Sequence, residues 1–468
     1  MKKVNFGTDG WRGIMSEDFT VQRVREVVQA ITSYAKNESG PDKMVIGYDN
    51  RFMSEFYGKA VAEVVCGNGM KALLSPVPVT SPMVSHAVNA SGAAGGIMVT
   101  ASHNPYQYNG LKFKAPYGGS ASPEVMAVIE PRIGCGTVKS IPFDAARGSG
   151  GVVTSDYFVP YRKSLYGLLD TENIRAGAPR AAMDCMHGSA GRYAADIWEG
   201  LGLKLDILND ARDPYFGGIN PEPLEKNLSG LAGVVSGFGL DIGLAADGDA
   251  DRLGVLDDTG AYIDPHRVFA LLLIHMHKNR GLKGSVVKTV STSSLIDRIA
   301  DDLGLPVHET PVGFKHICRL MIEDDVLIGG EENGGYGIKG NIPERDGILA
   351  GLLLIEMMAV EGRGIRELIA DVEKRYSRLY HKRHDEKVEG PGLAGLTDRI
   401  EAGLKAVYGD IGIKAVKKTD GIKAVLKDGS WVLFRQSGTE PLLRIYAEAS
   451  SQEKVDLLID RGREAFIG

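Results

Sequence analysis

The stretch Met44-Val45-Ile46-Gly47, followed after a turn by Ser54-Glu55-Phe56-Tyr57-Gly58-Lys59-Ala60-Val61-Ala62-Glu63-Val64-Val65, decides the fold class. A short apolar run with β-branched residues suits a buried strand, and the longer amphipathic run behind it suits a helix covering that strand. The same pairing returns at residues 180–184 with 192–201 and at 285–289 with 294–303. Repeated strand-then-helix units predict α/β domains with parallel or mixed sheets, whose active loops lie at strand ends. The chain has 468 residues, too many for one core on the usual scale of about 100 to 200 residues per domain. Gly148-Ser149-Gly150-Gly151 reads as a linker, residues 257–260 as a turn near a second boundary, and residues 361–364 as a break before a helix. The last piece differs. Residues 397–407 read as helix, 423–426 and 431–435 as a hairpin around Asp428-Gly429, and 454–466 as a closing helix, which predicts an α+β unit.

Composition narrows the function classes. Hydrophobic residues make up 43% and charged residues 24% of the chain, as in an ordinary globular protein. With 54 Lys+Arg against 60 Asp+Glu the formal charge is -6, which argues against a nonspecific grip on nucleic acid or membrane and leaves any anionic ligand to local basic clusters. The apolar runs are far shorter than the ~18 residues of a membrane span and the N-terminus lacks the apolar segment of a signal peptide, so a cytoplasmic protein is expected. Cys66, Cys135, Cys185 and Cys318 lack metal-site spacing and read as free thiols. The 60 glycines follow no period and point to many tight loops.

Four loops carry the chemistry. In Val99-Thr100-Ala101-Ser102-His103-Asn104-Pro105, small residues leave room for a substituent on the Ser102 oxygen, and Pro105 disfavours a helix, so an exposed serine on a strand-end loop is expected. His103 points away from Ser102 in an extended chain and no G-x-S-x-G elbow surrounds it, which disfavours a hydrolase triad. Alone, such a segment is ordinarily a turn serine capping backbone groups; the other loops change that reading. Asp247-Gly248-Asp249-Ala250-Asp251-Arg252 crowds three carboxylates, which calls for a hard cation, Mg²⁺ rather than Ca²⁺, because the EF-hand glycine position holds Arg252. In a straight strand the outer two aspartates would stand about 13 Å apart, so the segment must curl, with Gly248 and Ala250 permitting it. Gly329-Gly330-Glu331-Glu332-Asn333-Gly334-Gly335 places adjacent carboxylates where they can accept sugar hydroxyls. Arg435-Gln436-Ser437-Gly438-Thr439-Glu440-Pro441 combines a guanidinium, two hydroxyls and amides around Gly438 into a nest for a phosphate dianion, with Arg444 close by. Arg12 in Phe6-Gly7-Thr8-Asp9-Gly10-Trp11-Arg12-Gly13 and Lys315 in Thr310-Pro311-Val312-Gly313-Phe314-Lys315 are further basic candidates.

Taken together and in this order, the loops resemble the α-D-phosphohexomutase family over essentially the whole chain. Asp49-Asn50-Arg51, Asn220-Pro221-Glu222-Pro223 and Arg345-Asp346-Gly347 add to the resemblance. It implies four domains around a central cleft, three related mixed-sheet α/β units (1–150, 151–257 and 258–370) and a smaller α+β unit (371–468). It further implies that Ser102 is a phosphoserine and that Ser102, Asp247, Asp249 and Asp251 hold Mg²⁺. Lys112, at the family's Asn-Gly-x-Lys position, is then the candidate general acid/base, with Arg12 and Arg252 near the transferring phosphoryl group and His103 orienting the serine loop or contacting its phosphate. Glu331 and Asn333 would read the sugar, and Lys315, Arg435, Ser437, Gly438, Thr439 and Arg444 would bind phosphate. The reaction implied is interconversion of hexose 1- and 6-phosphates through a hexose 1,6-bisphosphate, which is also the activator, by a monomer or homodimer. The Glu331-Glu332 pair resembles that of glucose-specific members, with Asn333 in the usual serine's place. Phosphomannomutase, phosphoglucosamine mutase and a silent sugar-phosphate-binding protein are the alternatives.

Overall fold

The computed structural model describes residues 4–7, 9–38, 40–387, 395–436 and 442–467. Six strands, β1 (Trp11–Ile14), β2 (Lys43–Tyr48), β3 (Lys71–Leu74), β4 (Gly96–Val99), β5 (Tyr108–Lys114) and β6 (Val152–Thr154), form a first sheet in the order β1-β5-β4-β2-β3-β6. A second sheet joins β7 (Ala181–Asp184), β8 (Leu205–Leu208), β9 (Ile242–Ala246), β10 (Leu253–Leu256) and β11 (Tyr262–Ile263) in the order β11-β10-β9-β7-β8. The third joins β12 (Ser285–Thr289), β13 (Val307–Thr310), β14 (Val326–Gly330) and β15 (Tyr336–Ile338) in the order β13-β12-β14-β15. These are mixed sheets, and the expected strand and helix pairs are all present, the helices being Ser54–Gly67, Gly191–Gly200 and Leu295–Asp302.

A shared order runs through the three. In each, two parallel neighbours lead to a central strand (β4, β9 or β14) that turns back through an antiparallel partner (β5, β10 or β15). The loops holding Ser102, the three aspartates and Glu331 are these equivalent turns, each at the carboxyl end of a parallel strand, where α/β sheets place ligands. A repeat too faint to read residue by residue is plain in topology.

The fourth unit is antiparallel throughout: β16 (Tyr380–Lys387), β17 (Ile413–Lys417), β18 (Ile422–Leu426), β19 (Trp431–Gln436) and β20 (Leu442–Ala449) lie in the order β16-β20-β19-β18-β17. The helices Leu396–Tyr408 and Gln452–Phe466 pack on its apolar face through Leu404, Leu458, Phe434 and Ile445. The predicted hairpin and both helices are found here.

The structure departs from the sequence expectations in three places. Gly148–Gly151 is a tight turn rather than a linker, because Val152–Thr154 pairs with β3 and closes the edge of the first sheet. Residues 257–260 turn β10 into β11 inside the second sheet. The helix Ile365–Tyr376 runs unbroken past residue 370, and the crossing to β16 is made at Ser377, whose φ of 68° is left-handed.

One buried apolar core runs through the first three units, from Met83 and Met98 through Trp198 and Leu244 to Phe269 and Leu353. Asp346 caps the core helix Gly347–Glu361 by accepting from Leu349 N, and it also accepts the Tyr161 hydroxyl at 2.9 Å, joining helix and domain contact in one buried carboxyl. Burial raises this carboxyl to about 6 against hydrogen bonds that lower it. Between the unfolded value near 3.8 and about 6 the folded state therefore binds more protons than the unfolded one, so the Asp346 contribution to stability falls as pH rises. Asp346→Asn does not titrate. Thermal melts across this window should show the wild-type midpoint losing ground to that of Asp346→Asn with rising pH, whereas parallel curves would contradict the coupling.

Candidate active site

Ser102 follows β4 in a left-handed turn, φ 51°, with its amide on Thr100 Oγ1 at 2.9 Å. It is buried, 1% exposed, rather than exposed as the sequence suggests, because the aspartate loop of the second domain covers it. Its hydroxyl donates to Asp247 Oδ2 at 2.8 Å. The two loops touch at Gly248, where a Cβ would lie 2.5 Å from the Ser102 carbonyl oxygen.

The aspartate loop curls as the charge argument requires. Ala250 takes a φ of 60°, and one oxygen from each of Asp247, Asp249 and Asp251 falls within 4.8 Å of the others. Burial, then repulsion from Asp251 and Asp249, pushes the Asp247 carboxyl well above its usual range. Asp249 Oδ1 and Asp251 Oδ1 are buried without a hydrogen-bond partner. Hard, converging oxygens with unused lone pairs fit a small divalent cation of the Mg²⁺ class. Asp249 is steadied from the first domain by Ser81, whose amide donates to the Asp249 carbonyl at 2.9 Å and whose hydroxyl donates to Oδ2.

Lys112 Nζ reaches Asp9 at 2.7 Å, Asp249 at 2.8 Å and Asp251 at 2.7 Å. Burial alone would lower its pKa, but Asp249, Asp251 and Asp9 outweigh it and hold the amine as ammonium. Arg345 spans three domains, bonding Asp9 of the first, Asp251 of the second at 2.8 Å and Glu331 of the third at 3.1 Å. Arg252 donates its amide to Asp247 and lies 3.7 Å from Glu222, while Arg12 bonds Asn104 of the serine loop. His103 Nε2 is 3.8 Å from Glu222, and Nδ1 is buried without a partner. Burial, then Arg252, Arg12, Lys112 and Arg51, holds this imidazole neutral.

Glu331 is thus fixed by Arg345, and burial raises its pKa. Asn333 Oδ1 accepts from Gly335 N, shaping its own turn, and Glu332 accepts the Ser291 hydroxyl at 2.7 Å. Lys315 Nζ donates to the Gly7 carbonyl at 3.4 Å, beside Asp9 and Lys112 in a small recess. In the fourth domain Arg435 and Arg444 oppose each other on β19 and β20, with Arg435 donating to Asp420 at 2.6 Å and Arg444 lying 3.9 Å from Asp385. Ser437, Gly438 and Thr439 lie outside the described residues. The first three domains thus bring together Ser102, the aspartates, Lys112, Arg12, Arg252, His103 and Glu331. Asp9 and Arg345 stand inside quoted motifs but have no local spacing that marks them as partners, and Ser81 carries no sequence signal.

Profiles of one family match the chain in succession: phosphoglucomutase/phosphomannomutase alpha/beta/alpha domain I over residues 3–137, domain II over 159–260, domain III over 264–376, and the C-terminal domain over 388–465. A phosphoglucomutase/phosphomannomutase of Thermococcus kodakarensis is 34% identical over 460 residues, covering 98% of this chain and 97% of its own. A phosphoglucosamine mutase of Lachnospira eligens is 30% identical, covering 97% and 96%. The crystal structure of a Thermus thermophilus protein assigned as a phosphomannomutase superposes with a TM-score of 0.86 at 32% identity, covering 100% of both chains.

The contact at Gly248 is testable with Mg²⁺ as the probe. Gly248→Ala must push the aspartate loop off the Ser102 carbonyl, and titration calorimetry should show Mg²⁺ affinity reduced by roughly 10-fold or more, as for other lost supports of metal ligands. Unchanged affinity in a folded variant would contradict the contact's role.

Proposed function

The chain belongs to the phosphoglucomutase/phosphomannomutase family, a group of isomerases, and from that premise we propose that it moves a phosphoryl group between the 1- and 6-positions of a hexose. Its first substrates are glucose 1-phosphate and glucose 6-phosphate, with the hexose 1,6-bisphosphate as intermediate and activator, in the cytoplasm. The observation that carries this reading is the Ser102 hydroxyl on Asp247, inside a buried ring of three carboxylates.

In the proposed cycle phospho-Ser102 meets a hexose monophosphate. The P–O bond to Ser102 breaks as a P–O bond to the sugar hydroxyl forms. Lys112, held as ammonium, gives a proton to the departing serine oxygen, and the amine left behind takes the sugar hydroxyl's proton. The bisphosphate then turns over and returns its other phosphoryl group to the serine by the reverse steps. Bound Mg²⁺, held by Ser102, Asp247, Asp249 and Asp251, would offset charge on the group in transit. Transfer of this kind needs mainly positioning and charge balance from the protein. Arg12, on β1 and bonded to Asn104 of the serine loop, and Arg252, on the aspartate loop, supply that balance from two sides. Neutral His103 offers a hydrogen bond to the phosphoryl oxygens without adding charge. Glu331, oriented by Arg345, and Asn333 accept or donate to sugar hydroxyls. Lys315, Arg435, Ser437, Gly438, Thr439 and Arg444 hold the phosphate that stays in place.

The likeness to a phosphoglucosamine mutase supports a second reading in which the sugar is an aminohexose. Turnover of glucose, mannose and glucosamine 1-phosphates by the bisphosphate-activated enzyme separates the two. Ser102→Ala should stay folded, lose most mutase activity and gain no phosphoryl mass on incubation with hexose 1,6-bisphosphate, while wild type gains one. Near-normal turnover by Ser102→Ala would overturn the assignment.

A further inference from the structure

The proposed cycle leaves Arg51 without a task, yet no other side chain among the described residues is tied so fully to the serine loop. A guanidinium has five N–H donors in a rigid fork. All five are used here: Nε donates to Asp49 Oδ2 at 3.1 Å, Nη1 to the carbonyls of Pro105 and Tyr108 at 2.9 and 3.1 Å, and Nη2 to those of Ser102 and Asn104 at 2.5 and 2.7 Å. Four of the five partners are backbone carbonyls, three in the loop that carries Ser102 and one at Tyr108, where that loop enters β5, and the group is wholly buried, with its Cζ 4.8 Å from the centroid of the Phe216 ring of the second domain. Asp49 is fixed in turn by the hydroxyls of Thr100 and Ser54, each at 2.7 Å.

The neighbouring residue reaches the other way. Asn50 Nδ2 donates to the carbonyls of His187 and Gly188 at 2.9 and 2.8 Å, and Ser189 N donates to the Gly248 carbonyl at 3.0 Å. Asp49-Asn50-Arg51 therefore grips the serine loop with one side chain and the support of the aspartate loop with the next.

We propose that Arg51 is a positioning residue for phosphoryl transfer, holding the Ser102 loop in its left-handed turn so that the serine oxygen keeps its place beside Asp247. This rests on Ser102 being the phosphorylated residue. A purely structural ion pair would affect melting and leave the chemical step alone. A clamp affects the step itself, because a displacement near 1 Å at reacting atoms costs about 100-fold in rate. Lysine is a compact point charge with three donors and cannot span four carbonyls.

The test is Arg51→Lys in the full chain, activated by a hexose 1,6-bisphosphate. Steady-state turnover of the hexose 1-phosphate is measured alongside the rate of phosphoryl incorporation on Ser102, followed by intact mass. The expected result is a folded variant with kcat and incorporation both lowered roughly 10- to 100-fold and KM within about twofold of wild type. Wild-type kcat, or a raised KM with kcat unchanged, overturns the proposal. Should Arg51→Lys fail to fold, Asp49→Asn, which loosens the clamp while keeping the guanidinium, decides: a smaller fall in kcat at constant KM supports it, and unchanged kcat overturns it. A wild-type protein that turns over but gains no mass on Ser102 defeats the parent reading instead, and the proposal with it.

Discussion

Four carboxylates that share almost no water are the constraint on which this molecule is built. Asp247, Asp249 and Asp251 lie buried around one point with the Asp9 side chain, 7% exposed, beside them, and the only cationic side chains within ion-pair reach of several of the four, among the described residues, are Lys112 and Arg345. Buried charges of one sign are tolerated only when paired. The pairing here is drawn from three domains: Lys112 and Asp9 from the first, the aspartate triad from the second, Arg345 from the third. No single domain is electrostatically complete at this point, so the site exists only when all three are docked. That requirement matches the continuous apolar core beneath them, in which Val45, Met183 and Leu353 belong to one cluster.

The repeated strand order explains how three separate segments arrive at one point. A central parallel strand with an antiparallel return exposes one loop at its carboxyl end, and three such units set around a common core turn their loops inward. Glycine allows the closeness that follows. A Cβ on Gly248 would strike the serine loop, and one on Gly347 would lie 2.5 Å from the Arg252 carbonyl oxygen, so helix, aspartate loop and serine loop meet backbone to backbone. The excess of glycine has this local meaning at a few positions, and elsewhere it serves ordinary turns.

What was legible in the sequence depended on range. Strand-helix pairs such as β2 with Ser54–Gly67 could be read because a buried parallel strand is a continuous apolar run. The curl of the aspartate loop was legible from charge alone, since three carboxylates cannot share an ion in extended chain. The turn at 148–151 was misread as a linker because the strand behind it, Val152–Thr154, is only three residues long and leaves little pattern. The burial of Ser102 was illegible, for the atoms that cover it stand 145 residues away. Arg345 and Asp9 were illegible for the same reason: an ion pair across 336 residues has no spacing signature.

The fourth domain is attached by different physics. Its sheet meets the third domain through a small apolar cluster, Val290, Trp431, Leu433 and Tyr446, surrounded by polar contacts: Lys423 Nζ on the Val290 carbonyl, His381 on that of Ser291, and Glu448 accepting from Ser294. Its main core is separate from the one shared by the other three. Polar contacts of this kind exchange for water at little net cost, whereas opening the shared core exposes apolar surface at roughly 25 cal/mol per Å². Displacing the fourth domain is therefore the cheapest large rearrangement open to the chain. The charged centre is shared among the three domains that share a core, and the arginines Arg435 and Arg444 ride on a domain whose main core lies outside it.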